Sequence, residues 1–332
     1  MRKGRINILF TCVGRRVALV ELFRRAAGEL GFKSMIVGTD SDALSPGLYV
    51  CDKRYVSVPI ATKRYVEQLL DICRKHRIDV LVPTIDTELK TLSLNKEKFV
   101  DVGTYVLVSS PEVIEICQDK RKTYEFLCAN GFGSPWTEEL RRVKKKEIRY
   151  PVFLKPWDGS ASRGNAIAYN RGDLKYFGNK IPHCLVQEYI DGQEYTCDVY
   201  VDFKMRVRSV VPRKRIQVRA GEVSKALTCK DSRLISEVSR LVEVLGAGPG
   251  VITIQCFLTH QKELKFIEIN PRFGGGVPLS IRAGAKFPKW VISELTGKKL
   301  IIKKDGWQDG LYMLRYDEAV WCVRDKLADK FR

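Results

Sequence analysis

Residues 5–110 alternate short apolar runs with amphipathic stretches, and this alternation constrains the fold more than any other feature of the chain. Residues 6–13 read as a strand, 17–30 as a helix stopped by Gly31, 33–39 as a second strand and 55–58 as a short third. A helix over 65–76 and strands over 79–83 and 105–108 follow. Strands that alternate with helices pair in parallel, because each connection must cross a face of the sheet. The expected N-terminal unit is therefore an α/β layer. Asp40 ends the second strand where a dinucleotide-binding sheet places its ribose acid. The first turn reads C-V-G-R-R-V rather than G-x-G-x-x-G, so a standard dinucleotide site is not expected.

The rest of the chain has another rhythm. Ser110-Pro111 opens a helix with Glu112 and Glu115 in its first turns, where carboxylates suit the helix dipole. Asp119-Lys120 starts a second helical stretch that Asn130-Gly131 stops. Residues 151–186 read as a small αβ unit: strand VFLK, a glycine loop, strand AIAY and a polar helical stretch. From 186 onward strands dominate (VQEYI, YTCDVYVD, RVRSVV, ITIQCFL, KFIEIN), with one helix at 231–245. A chain of 332 residues suits two or three packed units. The expected boundaries are 1–110, 111–186 and 187–332.

No apolar run approaches the roughly 18 residues of a membrane span. The N-terminus, MRKGRINILFTCVGRR, has the basic-then-apolar order of a signal peptide. Its apolar run is short, contains Asn7 and leads into Gly14-Arg15-Arg16 rather than a small-residue cleavage site, so it is expected to be the first buried strand. Ten cysteines are scattered without a C-x-x-C pair, most inside apolar patterns. Reduced, buried thiols and a cytoplasmic location are the expectation. Dispersed His76, His183 and His260 argue against zinc. The net charge of +19 suits polyphosphate substrates, acidic proteins or nucleic acid. Its densest run, Arg141-Arg142-Val143-Lys144-Lys145-Lys146, has no aromatic between its basic residues and so no stacking platform for single strands. Neither nucleic acid nor a membrane is an expected partner; a homodimer is compatible with the chain.

Chemistry concentrates in a few segments. In FIEINPRFGGG (266–276), Glu268 and Asn270 sit two apart on a strand and share a face. Their oxygens suit a hard cation completed by phosphate. Arg272 suits bidentate binding of a phosphate or carboxylate, and the glycines that follow admit a ligand close to the backbone. An ordinary Pro-Gly turn would explain this stretch taken alone. In VFLKPWDGSASRG (152–164), Lys155 offers a point charge, and the loop N–H groups can form an anion nest; the lysine precedes the glycines, unlike a Walker loop, and a surface β-hairpin would explain this stretch taken alone. In VQEYIDGQE (186–194), a strand turns at Asp191-Gly192, where backbone N–H and C=O suit an adenine edge and Glu194 suits ribose hydroxyls; an ordinary hairpin would explain this piece taken alone. Arg206, Arg208, Arg213, Lys214, Arg215 and Arg219 form a basic strand-like stretch, either a solvated face or a group converging on a triphosphate and an acidic co-substrate.

Taken in order, Asp119-Lys120, Lys155 with GSASRG, QEYIDGQE, Gln255 and Glu268-Ile-Asn270-Pro-Arg272 resemble the ATP-grasp superfamily. Within it the chain is similar to single-copy relatives of the carbamoyl phosphate synthetase large subunit. The resemblance covers nearly the whole chain and implies an ATP-grasp fold, α/β with α+β character in its C-terminal part. Residues 1–110 would be the Rossmann-like pre-ATP-grasp domain, 111–186 linker helices and a small αβ lid, and 187–332 an antiparallel-sheet core with the metal site.

The same resemblance implies roles. Lys120 and Lys155 would contact nucleotide phosphates, beneath a mobile loop that includes Gly159, Ser160, Ser162 and Gly164. Glu188 and Ile190 would hold adenine largely through backbone, with Glu194 on the ribose. Gln255, Glu268 and Asn270 match metal-ligand positions for Mg²⁺, with Mn²⁺ as an alternative ion. Arg272 would stabilise the transferred phosphate, with Arg213 and Arg215 as further catalytic candidates. Asp86 and Glu88 in PTIDTEL, and Arg282, are further pocket candidates. The implied enzyme is a carboxylate–amine ligase: ATP phosphorylates a carboxylate, giving ADP and an acylphosphate, and an amine displaces phosphate. The competing reading is a non-catalytic ATP-binding module with a regulatory or partner-binding role. One grasp unit, no glutaminase segment and a short stretch after Arg272 depart from the full synthetase and from biotin carboxylase. Neither of those activities is expected of this chain alone.

Overall fold

The computed structural model describes residues 4–143, 148–159, 164–219, 221–299 and 302–323. Strands β1 (Arg5–Thr11), β2 (Lys33–Asp40), β3 (Lys53–Val56), β4 (Val80–Pro83) and β5 (Tyr105–Val106) form a parallel sheet in the order β3-β2-β1-β4-β5. β1 shows why both faces must be covered: Ile6, Ile8 and Phe10 enter one apolar cluster and Leu9 enters another. Strand order reverses between β1 and β4, so the loops leaving their carboxyl ends part and open a crevice. Thr84 pins that edge by donating its hydroxyl to the Cys12 carbonyl at 2.6 Å. Asp40 holds the neighbouring loop, accepting from the Gly14 N–H (2.7 Å) and the Asp42 N–H (3.0 Å).

Strands β6 (Thr137–Glu139), β7 (Val152–Pro156), β8 (Ala166–Ala168) and β9 (Cys184–Glu188) form a small antiparallel sheet in the order β6-β9-β7-β8. β9 spans the expected 186/187 boundary and is hydrogen-bonded within this sheet. β6 is too short to show alternation in sequence.

The third sheet holds β10 (Gly192–Val201), β11 (Val207–Arg219), β12 (Glu222–Thr228), β13 (Gly250–Thr259), β14 (Leu264–Asn270) and β15 (Tyr312–Leu314), antiparallel in the order β14-β13-β10-β11-β12-β15. β10 alternates strictly: Tyr195, Cys197, Val199 and Val201 enter the core beneath the helix Ser232–Leu245. Glu194, Thr196 and Asp198 therefore point to the opposite face. That helix buries Leu234, Val238, Leu241, Val242 and Leu245 at helical spacing, with Asp231 as N-cap and Gly246 in the left-handed region at its end. All ten cysteines are free, and six are buried. Among the described residues, no helix is long and apolar enough to cross a membrane.

Phe23, on the helix Val17–Glu29, joins the layers. Its ring meets Phe10 edge-on at 5.2 Å and Phe273 at 5.6 Å, within a cluster that also holds Phe287 and Trp290. Removing that ring leaves a cavity the layers cannot close. Phe23→Ala is expected to lower stability by about 3–5 kcal/mol, measured by urea unfolding; a loss below about 1 kcal/mol would contradict the shared core.

Candidate active site

A cleft of about 700 Å³ opens where the three sheets meet. Lys120, Lys155, Gly159, Glu188, Ile190, Glu194, Arg213, Arg215, Gln255, Glu268, Asn270 and Arg272 all line it. Gly164 follows at φ +77, in the left-handed region, and is not part of the lining. Ser160 and Ser162 lie outside the described residues.

Strand register explains much of the convergence. Gln255 on β13 pairs with Glu268 on β14, and Thr253 pairs with Asn270, so the three candidate metal ligands sit side by side on one face. Arg272 follows the strand end. Its Nη2 and Nε donate to Asp86 Oδ2 at 2.6 and 3.1 Å, and Nη2 reaches Asn270 Oδ1 at 3.4 Å. Asp86 begins the helix Asp86–Leu94 just after β4, so this pair bridges the parallel sheet and the core.

Lys155 stands near the end of β7 and is only 6% exposed. Burial lowers its pKa to about 8; nearby Glu268 opposes the shift and Lys120 adds to it. Lys120 opens the helix Lys120–Ala129, and its ammonium donates to the Gly159 carbonyl. A Cβ at Gly159 would lie 2.3 Å from Pro156 Cγ, so the loop can turn there only with glycine. Glu194 pairs with Arg215 at 3.0 Å. Burial raises the Glu194 pKa, partly offset by that arginine. Glu188 Oε2 accepts from the Trp136 N–H at 3.1 Å, and its own N–H donates to the Trp136 carbonyl at 2.8 Å.

Arg213 is 1% exposed and bidentate to buried Asp198, with Nε to Oδ2 at 2.7 Å and Nη2 to Oδ1 at 3.0 Å. Ser280 donates to the same carboxylate at 2.6 Å. Arg213 Nη1 has no partner among the described residues.

Several expected pocket residues point elsewhere. Glu88 is fully buried away from the cleft, accepting from the Tyr65 hydroxyl (2.8 Å) and the Thr84 N–H (3.1 Å). It stands at the third position of its helix, where a carboxylate folds back over the free N–H groups; burial raises its pKa against those hydrogen bonds. Arg282 is exposed at the end of the helix Val277–Arg282, outside the cleft. Arg206 and Arg208 pair with Asp202 at 2.8 and 3.1 Å, and Arg219 pairs with Asp317 at 2.6 Å. None of the three lines the cleft.

The structure adds Arg16, which lies in the cleft with its side chain 18% exposed. It meets Glu222 of β12 at 3.3 Å, and Glu222 also meets Arg315 at 2.9 Å and Arg15 at 3.9 Å. Burial, and then repulsion from Arg272, lower the Arg16 pKa. Burial disfavours the Glu222 carboxylate, yet Arg16 and Arg315 outweigh it and its pKa falls. The sequence signal was Gly14-Arg15-Arg16 directly after the first strand, at the edge where parallel sheets bind ligands. A second pocket of about 470 Å³, lined by residues including Arg5, Lys33 and His76, contains none of the expected site residues.

Among the described residues, no three His, Cys, Asp or Glu side chains cluster as a metal site. The oxygen set at Gln255, Glu268 and Asn270 is one carboxylate and two amides. It fits a hard divalent cation whose remaining ligands are phosphate oxygens.

Residues 117–276, which include the cleft residues from Lys120 to Arg272, match the ATP-grasp domain family, and residues 8–107 match the PylC-like N-terminal domain. The chain carries an ATP-grasp domain. Among its relatives, the carbamoyl phosphate synthase large chain of Clostridium beijerinckii is 24% identical over 299 residues, covering 83% of this chain and 27% of that one. The carbamoyl-phosphate synthase of Methanobrevibacter smithii is 24% identical over 177 residues, 52% of this chain and 46% of that protein. This chain thus spans only a fraction of these relatives' length. The biotin carboxylase domain dimer of Hydrogenobacter thermophilus 2-oxoglutarate carboxylase, solved with MgADP, ADP and bicarbonate, superposes with a TM-score of 0.72 at 19% identity, covering 92% of this chain and 73% of that one. The N5-carboxyaminoimidazole synthetase of Staphylococcus aureus, solved with ADP, gives 0.71 at 16% identity, covering 91% and 81%. The fold is that of ATP-grasp proteins, α/β at the N-terminus with an antiparallel-sheet core.

The ATP-grasp cleft holds Lys155 against its own solvation, which generates a pH-dependent prediction. Its folded pKa of about 8 lies below the 10.5 of an exposed lysine, so between these values the unfolded chain binds more protons. The penalty is full below pH 8 and disappears as pH rises toward 10.5. Lys155→Met is expected to stabilise the ligand-free protein by about 2–3 kcal/mol at pH 7, with the gain closing near pH 10. Thermal unfolding at both pH values checks this; a gain that does not shrink would place the lysine in a solvated setting.

Proposed function

We propose that this chain is an ATP-dependent carboxylate–amine ligase that forms an acylphosphate and ADP. The observation that carries the reading is the convergence of Lys120, Lys155, Glu194, Gln255, Glu268, Asn270 and Arg272 on one cleft of an ATP-grasp fold. Lys120 and Lys155 would take nucleotide phosphates, and Glu194, oriented by Arg215, would accept from the ribose hydroxyls. The Glu188 N–H is already committed to Trp136, so the adenine edge would be read by backbone beyond it, toward Ile190. Gln255, Glu268 and Asn270 would hold Mg²⁺ together with the phosphates; bound there, the ion would neutralise phosphate charge. Mn²⁺ has the same oxygen preference.

A carboxylate oxygen of the substrate attacks the γ-phosphorus, the bond to the ADP oxygen breaks, and ADP leaves with that electron pair. Arg272, held toward Asn270 by Asp86, offsets the charge on the transferred group. The amine nitrogen then attacks the acyl carbon, and phosphate departs, taking the proton the amine gives up. None of these steps needs a covalent bond to the protein.

A second reading, a nucleotide-binding module without turnover, draws on the single carboxylate in the metal set. ADP release from Mg-ATP in the presence of pooled carboxylates and amines separates the two. Lys155→Ala is expected to reduce it by about 10²–10³-fold. Glu268→Ala is expected to lose activity with the fold retained, and to bind Mg-ATP more weakly while metal-free ADP binds as before. Unchanged turnover in Lys155→Ala would sink the nucleotide assignment, and AMP as product would overturn the acylphosphate. A homodimer and a cytoplasmic location remain part of this proposal; sedimentation of the purified chain tests the first and imaging of a tagged chain the second.

A further inference from the structure

We propose that the carboxylate substrate carries a second anionic group, a further carboxylate or a phosphate, and that Arg16 is the residue that selects for it. This rests on the ligase reading above and names the class of acid it takes.

The floor of this end of the cleft is Gly274–Gly276. A Cβ on Gly275 would stand 2.6 Å from Arg16 Nη1, and one on Gly276 would stand 2.3 Å from Arg213 Nη1. Both guanidinium groups therefore lie directly on bare backbone, and with Arg272 they frame the region beside the metal set. Arg272 has Asp86 and Arg213 has Asp198, while Arg16 shares Glu222 with Arg15 and Arg315, which lie outside the lining. Among the described residues, Arg16 is thus the one of these three cleft guanidinium groups whose paired carboxylate is divided among several arginines. Arg213 Nη1 is buried without an acceptor among the described residues, a state that costs free energy until an anion satisfies it.

The two sides of this region have different origins. Arg272 follows the β14 end, next to Asn270, and suits the carboxylate that is phosphorylated. Arg16 comes from the loop after β1, at the reversal between β1 and β4 where an open parallel sheet receives ligands. Thr84 and Asp86, from the loop after β4, form the other lip of that crevice. An acid with one charge engages Arg272 and leaves Arg16 with its share of Glu222 alone; an acid with two charges spans both.

Calorimetry with ADP-loaded protein and two matched pairs, succinate against butyrate and 3-phosphoglycerate against glycerate, tests this. Each pair differs by the second anionic group, and the two pairs separate a carboxylate from a phosphate. The dianionic member of at least one pair is expected to bind about tenfold tighter or better. Arg16→Gln should bring that ratio close to one, and Arg16→Lys should keep part of it. ADP affinity and thermal midpoint report that both variants are folded, and a merely structural role for Arg16 would not change the ratio. Ratios near one in both pairs, or a ratio that survives Arg16→Gln, overturn the proposal. Failure of the ligase reading looks different: the dianion binds with Arg16-dependent preference, yet no acid and amine together release ADP from Mg-ATP.

Discussion

Phe23 lies between Phe10 and Phe273, and through that contact one face of the parallel sheet shares an apolar core with the six-stranded sheet. The remaining geometry follows from how this core seats the two layers. It brings the carboxyl ends of β1 and β4 over the glycines after Arg272, where Asp86 reaches Arg272 and Arg16 reaches Glu222. Such partly exposed ion pairs contribute little to stability by themselves. Burial of large apolar groups positions the layers, and the ion pairs orient the groups at their junction.

The cleft is built from charges that the fold tolerates only in company. Asp198 is fully buried and would be untenable alone. It is held by Arg213, and Ser280 donates to it as well, which ties β10, β11 and the helix Val277–Arg282 together. For Lys155, nearby Glu268 offsets burial only in part, and burial pulls its pKa down to about 8. A lysine kept in that setting lowers stability in exchange for a charge poised toward the cleft. Glu194 is intermediate: burial opposes its charge and Arg215 partly restores it.

Much of this was legible in the residues. The strand–helix alternation of 5–110 led to a parallel sheet because period and order suffice for that inference. Glu268 and Asn270 share a face because strand geometry requires it. Glu88 was misread because sequence places it two residues from Asp86 but does not say that its helix would turn its carboxylate inward as a cap. Arg282 fell outside the cleft, and of the two readings open for the arginines at 206, 208 and 219 the structure took the one away from the ligand, for a related reason: charge density does not disclose which face a strand or helix presents. Arg16 escaped notice because its loop was compared with a glycine fingerprint it lacks. Short β6 and β15 carry too few residues for any periodic signal.

The sequence by itself determined the strand–helix alternation of 5–110, the run of strands from 186 onward and the common face of Glu268 and Asn270, since these depend on neighbours a few bonds apart. Only the tertiary structure decided that Gln255 stands beside Glu268, that Asp86 holds Arg272 and that Arg16 faces the same cleft from 200 residues away in the chain (roughly the separation from Glu222). Those contacts are set by sheet register and by the packing of layers around Phe23. No local pattern encodes either, because both depend on which distant surfaces become buried together.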